Sequence, residues 1–564
     1  MAKKFASMRV REMGRKLADA LIVLVIIAGP ILGFSQSCKG DTIPTTPNDN
    51  SNKPPSDNHA PTVVLSVVGP EEGPTPLTIK LDASKSSDPD GDEIKFEWLF
   101  SDGASLTGSV VKHEFVTSGK HKAWLAVSDK WGVPAYAEPE EFMGWGLANS
   151  AWPKFAHDEK NTGCSPNRGP MMDLDNAGDG KAFPRYWRSG IENDPVNSVC
   201  IGYDGMVVYT QGSWLRARTS DGNELWNIRA ESELTSWPAI AYDGSIIAGT
   251  KNGYIHRVSP EGEVIWSRNL SESVGTPIVL NSAINIDHNR NIYVGGYDEV
   301  QNGEKGRLFS LDFDGNVKWE REIEGYLFTG NSESVVPGKL IPAITSDGDI
   351  VINGKNGSKF DPDGNLLNVF EFFTEPGNAE TRQSLGPPSI NADGYIAFAH
   401  PLMPLFFTGG NFYMNLSEPD PFPETGDNAQ LTWLNQAPIW TFDGASIVHT
   451  ISFFESPYYL STRTNDGDYY QHEISGTPQI LSYGFEPSTA IAGASGDSLG
   501  RVYVSCFGLR AFGPISHNTV FPYLPQRYSL WTYTRPSIRM TSPVIGENGQ
   551  MYLGYGNDIL AIGD

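Results

Sequence analysis

One sequence unit recurs from about Pro195 to Asp564, and nothing else in the chain limits the fold so tightly. Its clearest copy runs Trp237-Pro238-Ala239-Ile240-Ala241-Tyr242-Asp243-Gly244-Ser245-Ile246-Ile247-Ala248-Gly249-Thr250, passes through Asn252-Gly253-Tyr254-Ile255 and ends Glu261-Gly262-Glu263-Val264-Ile265-Trp266. Asp-Gly and Asn-Gly supply the positive φ angles that tight hairpin turns need. The runs between them are too short and too β-branched for helices. Each unit therefore predicts four short strands and three tight turns, with a proline where the first strand begins and its missing N–H costs little.

That proline recurs at Pro195, Pro238, Pro277, Pro342, Pro388, Pro438, Pro478 and Pro543, which predicts eight units with insertions. The last unit, Pro543 to Asp564, is too short to finish its sheet. Phe183-Pro184-Arg185-Tyr186-Trp187-Arg188, ahead of the first unit, offers the missing Trp-bearing strand. Pairing it with the C-terminus would close a ring and remove the open sheet edges.

On these residues the array resembles the pyrroloquinoline-quinone-like β-propeller family. Trp152-Pro153-Lys154-Phe155-Ala156-His157-Asp158-Glu159-Lys160-Asn161-Thr162-Gly163 is similar to the lead-in sequence of many such propellers. The resemblance covers roughly residues 150 to 564 and implies an architecture rather than a ligand. Trp187, Trp226, Trp266 and Trp319 stand at equivalent unit ends, where an indole packs between neighbouring blades. Phe370 takes that position in the fourth unit.

Residues 58–142 form a second domain of short strands, a small sandwich. Asp82-Ala83-Ser84-Lys85-Ser86-Ser87-Asp88-Pro89-Asp90-Gly91-Asp92, Phe96-Glu97-Trp98-Leu99-Phe100-Ser101-Asp102-Gly103, His113-Glu114-Phe115 and Val127-Ser128-Asp129 resemble a PKD domain. That family implies an extracellular spacer or adhesion module. The expected fold class is all-β: a PKD-type β-sandwich plus an eight-bladed closed β-propeller over residues 143–564.

Ahead of both, Lys3, Lys4, Arg9, Arg11, Arg15 and Lys16 precede an apolar run from Ala20 to Leu32. A short apolar stretch behind a basic front suits an export signal better than a membrane span. Phe34-Ser35-Gln36-Ser37-Cys38 resembles a bacterial lipoprotein signal, which implies a signal peptide over 1–37 and lipidation at Cys38. Ser35 and Gln36 depart from that pattern; a retained anchor helix is the alternative, and plain secretion the third reading. Residues 38–57 hold almost nothing apolar and predict a flexible tether.

The formal net charge of −25 excludes a phosphate-backbone binder, so no nucleic acid partner is expected. Cys38, Cys164, Cys200 and Cys506 have no metal or haem spacing. One disulfide among the last three and buried free thiols both fit.

Three groups of residues are candidate sites. Asp88, Asp90 and Asp92 alternate in an oxygen-rich loop that Ca²⁺ could use, though Asp-Pro-Asp-Gly-Asp is equally a good turn. Otherwise no cofactor is expected. Phe406, Phe412 and Tyr413, in a fifth-unit insertion (400–430), and Tyr523 and Tyr528, in a seventh-unit insertion (514–533), form aromatic stretches of the kind that bind partners. The same residues could instead pack on each other over one mouth of the ring. Cys38 is the third site, holding the membrane through its lipid.

Quinone-dependent enzymes of the resembled family hold their cofactor against adjacent cysteines. This chain has no Cys-Cys pair, no Cys-x-x-Cys-His and no Gly-x-Ser-x-Gly elbow. The expected function is therefore non-enzymatic: an exported, lipid-anchored envelope scaffold whose propeller recognises a protein or a polysaccharide. The alternative is an extracellular polysaccharide hydrolase or lyase with its site in the propeller funnel. A role like that of the propeller lipoprotein of the barrel-assembly machinery is a narrower variant, against which the added PKD domain argues.

Overall fold

Strands dominate because the sequence alternates short β-branched runs with turn glycines. The computed structural model describes residues 54–170, 185–187, 194–299, 305–324, 327–329, 335–337, 340–354 and 357–370. Beyond these it describes 388–390, 396–397, strand segments between 441 and 473, and 493–498, 502–505, 508–512, 529–534 and 540–563. Among the described residues the protein is all-β apart from short helical turns, and no helix is long and apolar enough to cross a membrane.

The chain divides into two compact units. Among the described residues, the smaller holds 54–71, 78–114 and 121–142, and the larger runs from Met143 and takes in 72–77 and 115–120. In the sandwich, a three-stranded sheet orders Ser66–Val67, Leu77–Asp82 and Val110–Phe115. A second sheet centres on Gly119–Ser128, which pairs with Lys95–Phe100 through Phe96↔Val127 and Trp98↔Leu125. Strict alternation along Leu77–Asp82 puts Leu77, Ile79 and Leu81 into the core with Trp98, Phe100, Phe115 and Leu125.

The repeat folds as tandem four-stranded antiparallel sheets. In the second unit Ala239–Ile240, Ile246–Gly249, Tyr254–Val258 and Val264–Asn269 pair in sequence order. The first, fourth and seventh units repeat this order. In the last sheet Val544–Ile545, Met551–Tyr555 and Asp558–Ile562 gain a fourth strand from far upstream, Arg185–Trp187. The register is Arg185↔Ala561, Tyr186↔Leu560, Trp187↔Ile559, as the sequence predicts.

Neighbouring sheets meet through one repeated device. On the outer strands, Leu225, Ile265, Lys318, Leu367 and Leu530 are each the unpaired residue of a bulge. A bulge turns the next side chain out of the pleat. Three of those following residues with described side chains, Trp226, Trp266 and Trp319, donate from Nε1 to Pro260, Phe313 and Pro362 carbonyls in the next unit, at 2.8, 3.0 and 2.9 Å. Each ring lies on a turn glycine where any Cβ would collide: Gly262, Gly315 and Gly364. Trp187 meets Gly222 of the first unit in the same way. Core packing of these indoles is therefore their structural role.

Two expectations need correction. The residue in register with these tryptophans in the fourth unit is Asn368, opposite Lys359, and Phe370 lies two residues beyond it. The opening proline sits directly before the first strand at Pro195, Pro238, Pro342, Pro388 and Pro543, Pro438 and Pro478 lie outside the described residues, and the third unit differs. There the strand beside the Asp287 turn is Asn285–Ile286, and Ile284 in place of a proline donates its N–H to Trp237 O. Pro277 instead precedes an additional short pairing, Ile278–Val279 with Ile292–Asp298.

Candidate functional site

The first strand of each unit exposes backbone N–H and C=O groups that no neighbouring strand in its own sheet takes up. Residues 146–169 supply the partners. Tyr242 N donates to Gly146 O, Ala148 N to Ile240 O, Ile240 N to Pro153 O and Ile201 N to Trp152 O. Further along, Ile344 N donates to Glu159 O, Ile390 N to Lys160 O and Ser498 N to Asn167 O. Asn285 Nδ2 also donates to Glu159 O, at 2.8 Å. One strap thus satisfies backbone groups on the first strands of the first, second, fourth and fifth units, whose burial would otherwise cost stability. It reaches the third through the Asn285 side chain and the seventh at Ser498, just past its first strand Gly493–Gly496.

The middle of the strap is a compact loop around Lys154. Its side chain is fully buried, and Nζ donates to Phe155 O at 2.8 Å, Asp158 O at 2.9 Å and Asn161 Oδ1 at 2.5 Å. Three donors meet three acceptors, which is the full capacity of an ammonium. Asn161 in turn donates from Nδ2 to Pro342 O and Pro388 O. Asp158 shapes the loop: its carboxylate accepts from Lys160 N, Thr162 N and Thr162 Oγ1. Ala156, His157 and Asn161 all take positive φ, a concentration of non-glycine strain that only an over-determined loop sustains. Phe155 stacks on Trp237 at 4.3 Å and His157 stands edge-on to Trp152 at 5.1 Å.

Burial pushes the Lys154 ammonium down to about 7, against the pull of Asp158. Burial, helped by the Asp158 charge, pushes the Glu159 carboxyl up to about 7. Burial also opposes charge on Asp158, but hydrogen bonds from His157 and Thr162 hold its carboxyl below the ordinary value. The loop can grip and support: the Lys154, Asp158 and Asn161 side chains are committed to its own residues and to the units it joins.

The sequence motif carries Lys154 and Asn161 without marking either as structural. A lysine two residues after Trp152 and seven before an asparagine, in a motif closed by Gly163, is the signal available. Cys200, weighed for a disulfide, is a free buried thiol donating to Pro238 O at 3.3 Å, and burial pushes it up to about 12.

In the sandwich, Asp88, Asp90 and Asp92 share one loop. Asp88 Oδ1 accepts from Asp90 N and Asp92 N. The Asp90 carboxylate faces His59, with Nδ1 at 3.1 Å, and the Asp92 carboxylate faces Lys130 Nζ at 2.6 Å. Among the described residues no group of three or more His, Cys, Asp or Glu stands where it could hold a metal ion. Cys38, Phe406, Phe412, Tyr413, Tyr523, Tyr528 and Cys506 lie outside the described residues.

Comparison with known proteins agrees with both resemblances. Residues 58–141 match the PKD domain family, and residues 186–363 match the family described as outer membrane protein assembly factor BamB. BamB of Yersinia pestis is 24% identical over 201 residues, 31% of this chain and 46% of that protein, so the chain spans under half of that relative's length. Among solved structures, BamB from Moraxella catarrhalis is similar over 68% of this chain and 99% of its own, at 12% identity and a TM-score of 0.45. Virginiamycin B lyase from Staphylococcus aureus, in a catalytically inactive form with quinupristin, is similar over 68% and 100%, at 10% identity and a TM-score of 0.38. The chain carries a PKD domain and a PQQ-like β-propeller repeat region.

Proposed function

We propose that this protein is an envelope scaffold, exported and lipid-anchored through Cys38, whose propeller binds a protein partner. The eight units form one closed ring in this reading, with the PKD domain as a spacer. The pairing of Arg185–Trp187 with Asp558–Ile562 and the seat of Trp187 on Gly222 support closure. The match to an assembly factor supports a protein over a polysaccharide as partner.

The observation that carries the reading is the strap. An enzyme site presents uncommitted polar groups to substrate, whereas residues 146–169 commit backbone groups to hydrogen bonds with the units themselves. Binding then falls to the loops and outer strands, and the aromatic insertions bearing Phe406, Phe412, Tyr413, Tyr523 and Tyr528 are the leading surface. Calcium at Asp88, Asp90 and Asp92 would have to displace His59 and Lys130 from their carboxylates.

The test is capture from envelope extract on immobilised full-length protein, alongside a glycan array. A discrete protein retained by wild type and lost when residues 400–430 are deleted supports the reading. Glycan binding with release of shortened sugars would overturn it in favour of a hydrolase or lyase.

A further inference from the structure

We infer that the outer strand of the fourth unit, Leu366–Phe370, is a docking edge for an extended strand of the protein partner. The inference rests on the scaffold reading and names one surface within it. Among the described residues this strand pairs only with Gly357–Phe360, and no strand lies along its other side.

Open edges are normally protected by charge. The equivalent outer strands of the first three units carry it: Glu224 and Arg229 in the first, Arg268 in the second, and Lys318, Glu320, Arg321, Glu322 and Glu324 in the third. Leu366-Leu367-Asn368-Val369-Phe370 has no charge and no proline. The seventh unit's Ser529–Thr534 is also uncharged, but it keeps Trp531 in the docking register that the fourth unit lacks.

Among the described residues of the repeat its leucines are the most exposed large apolar side chains, with Val264 of the second unit next. Leu366 is 56% and Leu367 51% exposed, the latter pushed outward as the bulge residue. Asn368, where a tryptophan would seat on the next unit, turns back so that its Oδ1 accepts from Val369 N at 2.8 Å. A local side-chain bond of this kind competes with sheet pairing, so an incoming backbone carbonyl would replace the Asn368 acceptor.

Charge names the partner's chemistry. Asp361 and Asp363 precede the strand and Glu371 follows it in sequence. Burial opposes charge on Asp361, but hydrogen bonds from Asn365, Asp363 and Gly364 outweigh it and keep the group ionised. The occupant is accordingly an apolar, β-branched strand with basic residues at its ends, added by main-chain hydrogen bonds.

The experiment uses full-length protein and a peptide of alternating valine and threonine with two lysines at each end. Hydrogen–deuterium exchange should slow across 366–370 when the peptide binds, and Leu367→Lys should weaken binding at least tenfold without lowering the melting temperature. A proline placed mid-peptide should abolish both effects. No slowing at 366–370, or equal binding by Leu367→Lys, overturns the inference. Extract capture separates the two claims: a partner held equally by wild type and Leu367→Lys sinks the edge and leaves the scaffold standing. If wild type captures nothing, the scaffold reading falls, and the peptide result still decides the edge.

Discussion

Trp226 Nε1 donates to Pro260 O at 2.8 Å, and the same indole lies so close to Gly262 that an added Cβ would come within 2.6 Å of its ring. The hydrogen bond fixes where the ring sits and the glycine gives it room. With φ of +92° at Gly262, one residue serves both the turn and the interface. The arrangement recurs at Trp266 with Gly315 and at Trp319 with Gly364, so adjacent units are clamped by the same chemistry.

Gly262→Ala should therefore destabilise more than a turn glycine with open space around it. Gly275 has φ of +75° and no atom within 4 Å of an added Cβ. Gly275→Ala should lose only the backbone term of about 1–2 kcal/mol. Gly262→Ala should lose a further ~1–3 kcal/mol from overpacking against Trp226. Urea unfolding midpoints of the two variants make the comparison, and equal losses would contradict the clamp.

Trp319→Phe should cost about 1 kcal/mol by removing the bond to Pro362 O while keeping most of the apolar contact. Trp319→Ala should cost about 3–5 kcal/mol. Calorimetric melting of both variants measures the split.

Lys154→Met should destabilise by roughly 3 kcal/mol or more, because three buried oxygens lose their donor. The wild type should also carry a pH signature. Its amine titrates near 7 when folded and at 10.5 ordinarily, so between those values the unfolded chain holds the extra proton. Stability from this group rises with pH across that window. Denaturant midpoints from pH 7 to 10 should show a slope that Lys154→Met lacks.

Glu159→Gln should reveal the opposite slope at lower pH. The folded carboxyl titrates near 7 against an ordinary 4.5, so between these the folded state holds the extra proton. Its contribution falls as pH rises from 4.5 to 7. The variant should flatten that fall in the same measurement; an unchanged profile would place Glu159 in water.

Much of this was legible because it is local. Asp-Gly and Asn-Gly turns are set by backbone sterics and apolar alternation by the pleat, so strands and sandwich could be read in advance. The long-range pairing of Tyr186 and Trp187 with the C-terminal strand was legible instead because the last repeat lacks a strand. What the sequence could not reveal depends on register and on distance. A bulge adds one residue without any mark in composition, and so Asn368 rather than Phe370 occupies the tryptophan position. Residues 152–163 read as a lead-in motif, and their role as a strap emerges only from the hydrogen bonds of residues 146–169 to Ile240, Ile344, Ile390 and Ser498. Those partners lie up to several hundred residues downstream, and only the packing of the units brings their unpaired backbone groups to one surface where a single segment satisfies them.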